Sequence, residues 1–197
     1  MTHWPDDRIQ RLFNIKLPII QAPMAGSSTT EMAIAVAVTG GLGSLPSAQM
    51  TPTQLTDALI KFRTATSVPV NVNFFCHTPA GCDPLVDRRW RKQLEPYYLQ
   101  LGVDIEVQAD AANRAPFDDA YCSVVEALRP EVVSFHFGLP SYLLLDRVRS
   151  TGAEIISSAT TVSEAVWLEG HGCDAVIAMG VEAGGHRGNF LTDDMAA

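Results

Sequence analysis

A histidine lies inside a glycine-rich segment in the last part of the sequence, GVEAGGHRGNF (180–190). Gly184 and Gly185 precede His186, and Gly188 follows it. Glycine lets the backbone adopt positive φ and approach a ligand closely, and an imidazole exchanges protons near neutral pH. His186 is therefore a candidate general base. The alternative is a surface turn that carries the histidine incidentally.

A second imidazole and an amide stand where two predicted strands end. His136 lies near the end of EVVSFHFG (131–138), and Asn73 lies near the end of VPVNVNFF (68–75). Each side chain could hydrogen-bond a ligand there. The alternatives are a core histidine bonded to the backbone and an asparagine that caps a loop.

The ends of the other predicted strands carry small or polar groups with few charges. These groups fit a flat, polar-edged cofactor better than a metal ion. Cys76, His77 and Cys82 are spaced like part of a metal site, but no fourth ligand is near in the sequence, so no metal site is expected. The strand-end residues are Ala22, Pro23, Met24, Ser158, Thr160 and Gly180.

The composition is that of a globular chain. Its 197 residues are 47% hydrophobic and 18% charged, enough for one domain with a sizeable core. The net charge is −8, and no basic stripe of the kind that nucleic-acid-binding proteins use is visible. Since we find no signal peptide, membrane-spanning run or disulfide framework, we predict a cytoplasmic protein.

Short apolar runs alternate with helical patterns along the chain. The helical stretch from Thr51 begins with a capping residue and then Pro52. Repeated βα units predict parallel strands joined by right-handed crossovers. The predicted strands are 17–24, 40–45, 68–75, 131–138, 153–161 and 173–180.

Two parallel architectures share this rhythm. A doubly wound dinucleotide-binding fold would carry G-x-G-x-x-G after its first strand, whereas this strand ends QAPMAGSS. We therefore predict an α/β fold of the (β/α)₈ TIM-barrel type, of which the chain supplies about six βα units. Active sites of such barrels lie at the C-terminal ends of the strands, so the candidate residues should meet at one edge.

One connection is longer than the others. Residues from about 76 to 130 separate the third and fourth predicted strands and contain helical patterns at 84–102 and 117–130. We interpret this stretch as a helical elaboration within a single incomplete barrel domain, 1–197.

Six segments in order resemble the nitronate monooxygenases, which are FMN-dependent (β/α)₈ barrels. The resemblance covers almost the whole chain. It implies oxidation of alkyl nitronates or nitroalkanes by FMN and O₂ to a carbonyl compound and nitrite. The segments are PIIQAPMAG, GGLGSL, VNVNFF, VSFHFGLP, SSATTVSEA and GVEAGGHRGNF.

The resemblance also implies roles for individual residues. His186 is the expected base that faces the flavin. The other residues are expected to contact FMN through the backbone, hydroxyl, amide or imidazole groups at the strand ends. They are Ala22, Pro23, Met24, Asn73, His136, Ser158, Thr160, Gly180 and Gly185.

The chain departs from the family pattern in two places. Met179 stands where many relatives have glutamine, which removes one expected flavin contact. The family pattern also continues with two further strands whose loops hold the FMN phosphate, so we expect an incomplete barrel that self-associates through open strand edges. A flavin-dependent enoyl-acyl-carrier-protein reductase and a non-catalytic fragment remain alternatives.

Overall fold

The computed structural model describes residues 4–79, 81, 83–104, 114–192 and 194. Cys82, one of the residues spaced like part of a metal site, lies outside these residues. The chain divides into two compact units, one of residues 1–77 and 113–197 and the other of residues 78–112.

The first unit contains a parallel sheet of five strands in sequential order. Each strand pairs with the next along the chain, and the helices between them are the crossovers. This arrangement confirms the predicted α/β fold of the TIM-barrel type, although the described sheet is not closed. The strands are β1 (Gly43–Pro46), β2 (Val70–Phe75), β3 (Val132–His136), β4 (Glu154–Ala159) and β5 (Ala175–Ala178).

The first predicted strand, 17–24, is shorter than its sequence indicates. Within this segment only Ile20 forms a sheet pairing, a single parallel bridge to Leu42, the residue just before β1. Pro18 and Pro23 flank this bridge, and proline has no backbone N–H to donate to a sheet. The segment therefore lies beside β1 without extending the ladder.

The helices follow the capping signals of the sequence. Thr51 forms a capping box with Gln54 and stands directly before Pro52, as predicted. Thr29 caps the helix after the first bridge. Among the described residues, no helix is long and apolar enough to cross a membrane. The helices are α1 (Arg8–Phe13), α2 (Thr30–Thr39), α3 (Pro52–Ala65), α4 (Pro84–Leu101), α5 (Asp119–Leu128), α6 (Tyr142–Ser150) and α7 (Val162–Gly170), with a 3₁₀ turn at Ser47–Gln49.

The two faces of the sheet pack against different elements. One face, which includes Val72, Phe74 and Phe135, joins α2, α3, α5 and α6 in the main hydrophobic core. The opposite face, here called the inner face, packs at its N-terminal end against Phe13 at the end of α1 and nearby Ile15. Helix α1, which covers this end of the inner face, was not predicted from the sequence.

The long connection between β2 and β3 consists of two different parts. Helix α5 belongs to the first unit and buries Tyr121, Cys122 and Val125 in the main core, as a crossover helix does. Helix α4 belongs to the second unit, is capped by Asp83, and buries none of its described side chains.

Candidate functional site

The inner face changes from apolar to polar along the strands. At the N-terminal end, Leu42, Val132 and Ile156 pack together with Phe13. Two residues further along β3 and β4 stand Ser134 and Ser158, both buried. Because alternate residues of a strand share a face, the sequence places polar groups on the inner face toward the C-terminal ends of the strands.

Two amides of β2 organise this polar layer. Asn73 donates to Ser134 Oγ at 3.0 Å, and Asn71 donates to Ser44 Oγ at 3.0 Å. Gln21 Oε1 accepts from the backbone N–H of Ser44 at 3.3 Å. The other ends of two of these amides, Gln21 Nε2 and Asn71 Oδ1, are buried without a partner in the described part of the chain.

His136 ends β3 with both ring nitrogens engaged. Nε2 lies 3.1 Å from the carbonyl oxygen of His186, and Nδ1 lies 2.6 Å from Ser158 Oγ. A carbonyl only accepts, so we assign the ring proton to Nε2, and Nδ1 accepts from the Ser158 hydroxyl. Burial lowers the pKa of His136, which favours this neutral ring.

His186 lies against an aromatic wall at the same strand ends. Its ring centroid is 5.6 Å from that of Phe75 and 6.0 Å from that of Phe137, both edge to face. Phe137 has φ of +67°, a conformation that costs free energy for a bulky residue. This backbone lets the Phe137 ring contact His136, at 4.4 Å between centroids, as well as His186.

The glycine-rich segment is tied down although most of it is exposed. A Cβ on Gly188 would lie 2.5 Å from His136 Cε1 and 2.8 Å from Ser158 Oγ. The Phe190 ring lies against Gly138, where a Cβ would be 3.1 Å from Cδ2. Gly185 uses its freedom at φ of +81°, and Gly180 is exposed. The segment is therefore held against β3 and β4 at its second half.

The turn at Ala22–Met24 is largely exposed to solvent. Met24 is 51% exposed. Ser28 holds the turn, since its hydroxyl donates to the Ala22 carbonyl and accepts from the Met24 N–H, both at 3.2 Å. The exposed side of Ala22, Pro23 and Met24 is available to a ligand.

The structure adds one residue, Glu164, that was not selected from the sequence. Thr160 donates its N–H and hydroxyl to the Glu164 carboxylate at 2.7 and 2.8 Å, so this hydroxyl proton is already used. Glu164 is fully buried. The spacing of Thr161 and Glu164 is a capping-box signal that could have drawn attention to it.

His77, which the sequence spacing grouped only with a possible metal site, also packs near the two phenylalanines that contact His186. The His77 ring lies 6.1 Å from both Phe75 and Phe137. Burial raises the pKa of the neighbouring Cys76 thiol, which favours the protonated form. Within the described residues, no group of three His, Cys, Asp or Glu side chains could hold a metal ion.

The residues of this edge fit a flavin ring. An isoalloxazine ring needs flat apolar contact together with donors and acceptors along one side. Exposed Met24 offers the first, and Gln21 Nε2, on the residue just before the Ala22–Met24 turn, is a buried donor without a partner among the described residues.

Gly188→Ala should destabilise the protein by about 1–3 kcal/mol, the usual effect of overpacking. The new methyl group must displace His136 or Ser158, and neither is a long flexible side chain. Urea unfolding measures the change. Gly184→Ala is the matched control, because a Cβ there meets no atom within 4 Å. Equal stability of the two variants would contradict this packing.

The lowered pKa of His136 predicts a stability loss in mild acid. Since the folded protein favours the neutral ring, its contribution is fully present above the ordinary histidine pKa of about 6.5 and is lost as pH falls through the lower folded value. The urea midpoint should fall between pH of about 7.5 and about 5.5, and His136→Asn should reduce that fall. An unchanged pH dependence in the variant would show that another group controls it.

Comparison with known proteins gives the family. The family model described as Nitronate monooxygenase matches residues 6–197. The Nitronate monooxygenase of Paraburkholderia phytofirmans is 40% identical over 183 residues, which cover 92% of this chain and 50% of that protein. The chain thus spans about half the length of the curated relatives it matches.

Solved structures agree with this assignment. Nitroalkane oxidase from Streptomyces ansochromogenes matches with a TM-score of 0.79 at 36% identity, covering 91% of this chain and 50% of that one. FabK from Thermotoga maritima matches with a TM-score of 0.66 at 28% identity, covering 93% and 47%. The family model, the similar sequences and the fold together show that the chain belongs to the nitronate monooxygenase family, a family of oxidoreductases.

Proposed function

We propose that the protein oxidises alkyl nitronates and nitroalkanes with FMN and O₂, and releases a carbonyl compound and nitrite. The family assignment supports this reaction class. The observation that carries the proposal is the placement of His186 beside the aromatic wall, with its backbone carbonyl held by His136 at the strand ends.

The residues proposed to hold FMN lie around this edge. When bound, FMN supplies the two-electron oxidation of the substrate carbon and the reaction with O₂. The turn at 22–24 supplies apolar contact, and the polar groups of β2 and β4 supply hydrogen bonds. The proposed contacts are Ala22, Pro23, Met24, Asn73, His136, Ser158, Thr160, Gly180 and Gly185.

His186 is proposed to act as the base for neutral nitroalkanes. An imidazole nitrogen accepts the proton from the α-carbon, and the electron pair of the broken C–H bond moves onto the nitro group to give the nitronate. Phe75 and Phe137 pack edge to face against the otherwise exposed ring. A nitronate added as such has no proton to lose and bypasses His186.

His136 is proposed to position this base rather than replace it. Its Nε2–H donates a hydrogen bond to the His186 carbonyl, and its Nδ1 accepts one from the Ser158 hydroxyl. No lone pair of the neutral ring is left for a substrate proton. The imidazole instead fixes the backbone that carries His186.

The test is nitrite release and O₂ uptake by the chain saturated with FMN, with an alkyl nitronate and then a nitroalkane as substrate. We expect both substrates to give nitrite without NADH. NADH oxidation with an enoyl thioester and no nitrite would favour the enoyl-acyl-carrier-protein reductase instead. Failure to take up FMN by a chain that includes the two further strands of the family pattern would contradict the proposed use of this cofactor.

A further inference from the structure

Glu164 makes contacts that its place in α7 does not require. Thr161 caps this helix and accepts from the Glu164 N–H at 3.2 Å. In a capping box, the carboxylate three residues after the cap would accept from the N–H of the cap residue itself. Here Oε2 accepts instead from the N–H and hydroxyl of Thr160, one residue earlier.

The second carboxylate oxygen reaches a distant part of the chain. Glu164 Oε1 accepts from the N–H of Phe190 at 2.7 Å and from that of Leu191 at 3.3 Å. Burial alone would raise the pKa of Glu164, but the hydrogen bonds from Phe190, Thr160 and Leu191 lower it overall. The buried carboxylate is therefore ionised and compensated by donors from two segments.

These bonds bear on His186 through a short stretch of backbone. Phe190 packs its ring on Gly138 and meets Trp167 of α7 edge to face at 5.2 Å. Two residues before it, Gly188 lies against His136 and Ser158, and the His186 carbonyl accepts from His136. The segment 186–191 is thus fixed at one end by His136 and at the other by Glu164.

We propose that Glu164 is a positioning residue that holds the segment 186–191, and with it the His186 ring, over the strand ends. The proposal rests on the proposed function only for the role of His186, since the placement itself is a structural statement. A carboxylate is required because both oxygens face donors. Glutamine would turn its NH₂ group toward one pair of N–H or O–H donors and lose that side.

Hydrogen exchange of the intact chain tests the placement without any activity. In Glu164→Gln and Glu164→Ala, protection of the Phe190 and Leu191 amides should fall at least about tenfold, the factor expected for losing a hydrogen bond to a charged group. The His186 ring resonance should shift as well. Glu169→Gln, an exposed site on the same helix, is the matched control. Unchanged amide protection in both Glu164 variants would overturn the proposal.

Turnover then separates positioning from a merely structural role. With FMN present, Glu164→Gln should lower turnover on a neutral nitroalkane more than turnover on its nitronate, because only the first needs His186. Equal losses on both substrates would overturn the positioning role. If the unaltered chain releases no nitrite from either substrate, the proposed function fails, and the exchange and resonance data still decide whether Glu164 places His186.

Discussion

His186→Asn is expected to lower turnover on a neutral nitroalkane by about 10²–10⁴-fold, the usual range for loss of a general base. Asparagine has a similar reach but no nitrogen lone pair that takes up a proton. The same variant should lose far less on the pre-formed nitronate, whose α-proton is already gone. Steady-state assays with both substrates, at saturating FMN, measure the two losses side by side.

The comparison contains its own control for flavin binding. If the substitution displaced the cofactor, both substrates would lose activity in the same proportion, and flavin absorbance on the purified protein would fall. Parallel losses with flavin retained would show that His186 does not take the α-proton. A selective loss in His136→Asn of the same size would move the base to His136.

Phe74→Ala should lower the free energy of unfolding by about 3–5 kcal/mol, the usual effect of removing a buried phenylalanine. Phe74 is 2% exposed and lies in the main core. Its ring centroid is 4.7 Å from that of Phe117 and 6.2 Å from that of Phe135. Removing the Phe74 ring leaves a cavity between β2, β3 and the segment before α5.

Urea unfolding checks this value, with Ile60→Ala as the matched control. Ile60 is a large apolar residue of α3 but is 51% exposed, so its truncation should matter much less. Because Phe74 stands between Asn73 and Phe75 on the opposite face of β2, we expect its effect on stability rather than on the choice between nitroalkane and nitronate. A Phe74→Ala variant no less stable than Ile60→Ala would contradict the assignment of this core face.

The architecture was predictable because it depends on local patterns. Apolar runs separated by capped helices indicate parallel βα units, and each of the five strands overlaps a predicted range, with β1 ending one residue beyond its range at Pro46. The structure of segment 17–24 was harder to predict, because an apolar run does not show that its prolines limit it to a single bridge. Helix α1 was missed because its short apolar face is recognisable only once the inner face it covers is known.

The site was predictable in outline for a topological reason. Carboxyl ends of parallel strands share one edge, so Asn73, His136 and Ser158 could be expected near one another. What the sequence does not contain is long-range pairing. The contact of Glu164 with Phe190 spans 26 residues, and the positive φ of Phe137 follows from the turn it makes beside Gly138.

Anaerobic mixing of the FMN-loaded chain with an alkyl nitronate, or with NADH, shows which of the two reduces the bound flavin. We propose that the substrate itself reduces it, at the edge that carries His186. We predict that the nitronate bleaches the flavin absorbance and that NADH leaves it unchanged. Bleaching by NADH with no response to the nitronate would contradict the account.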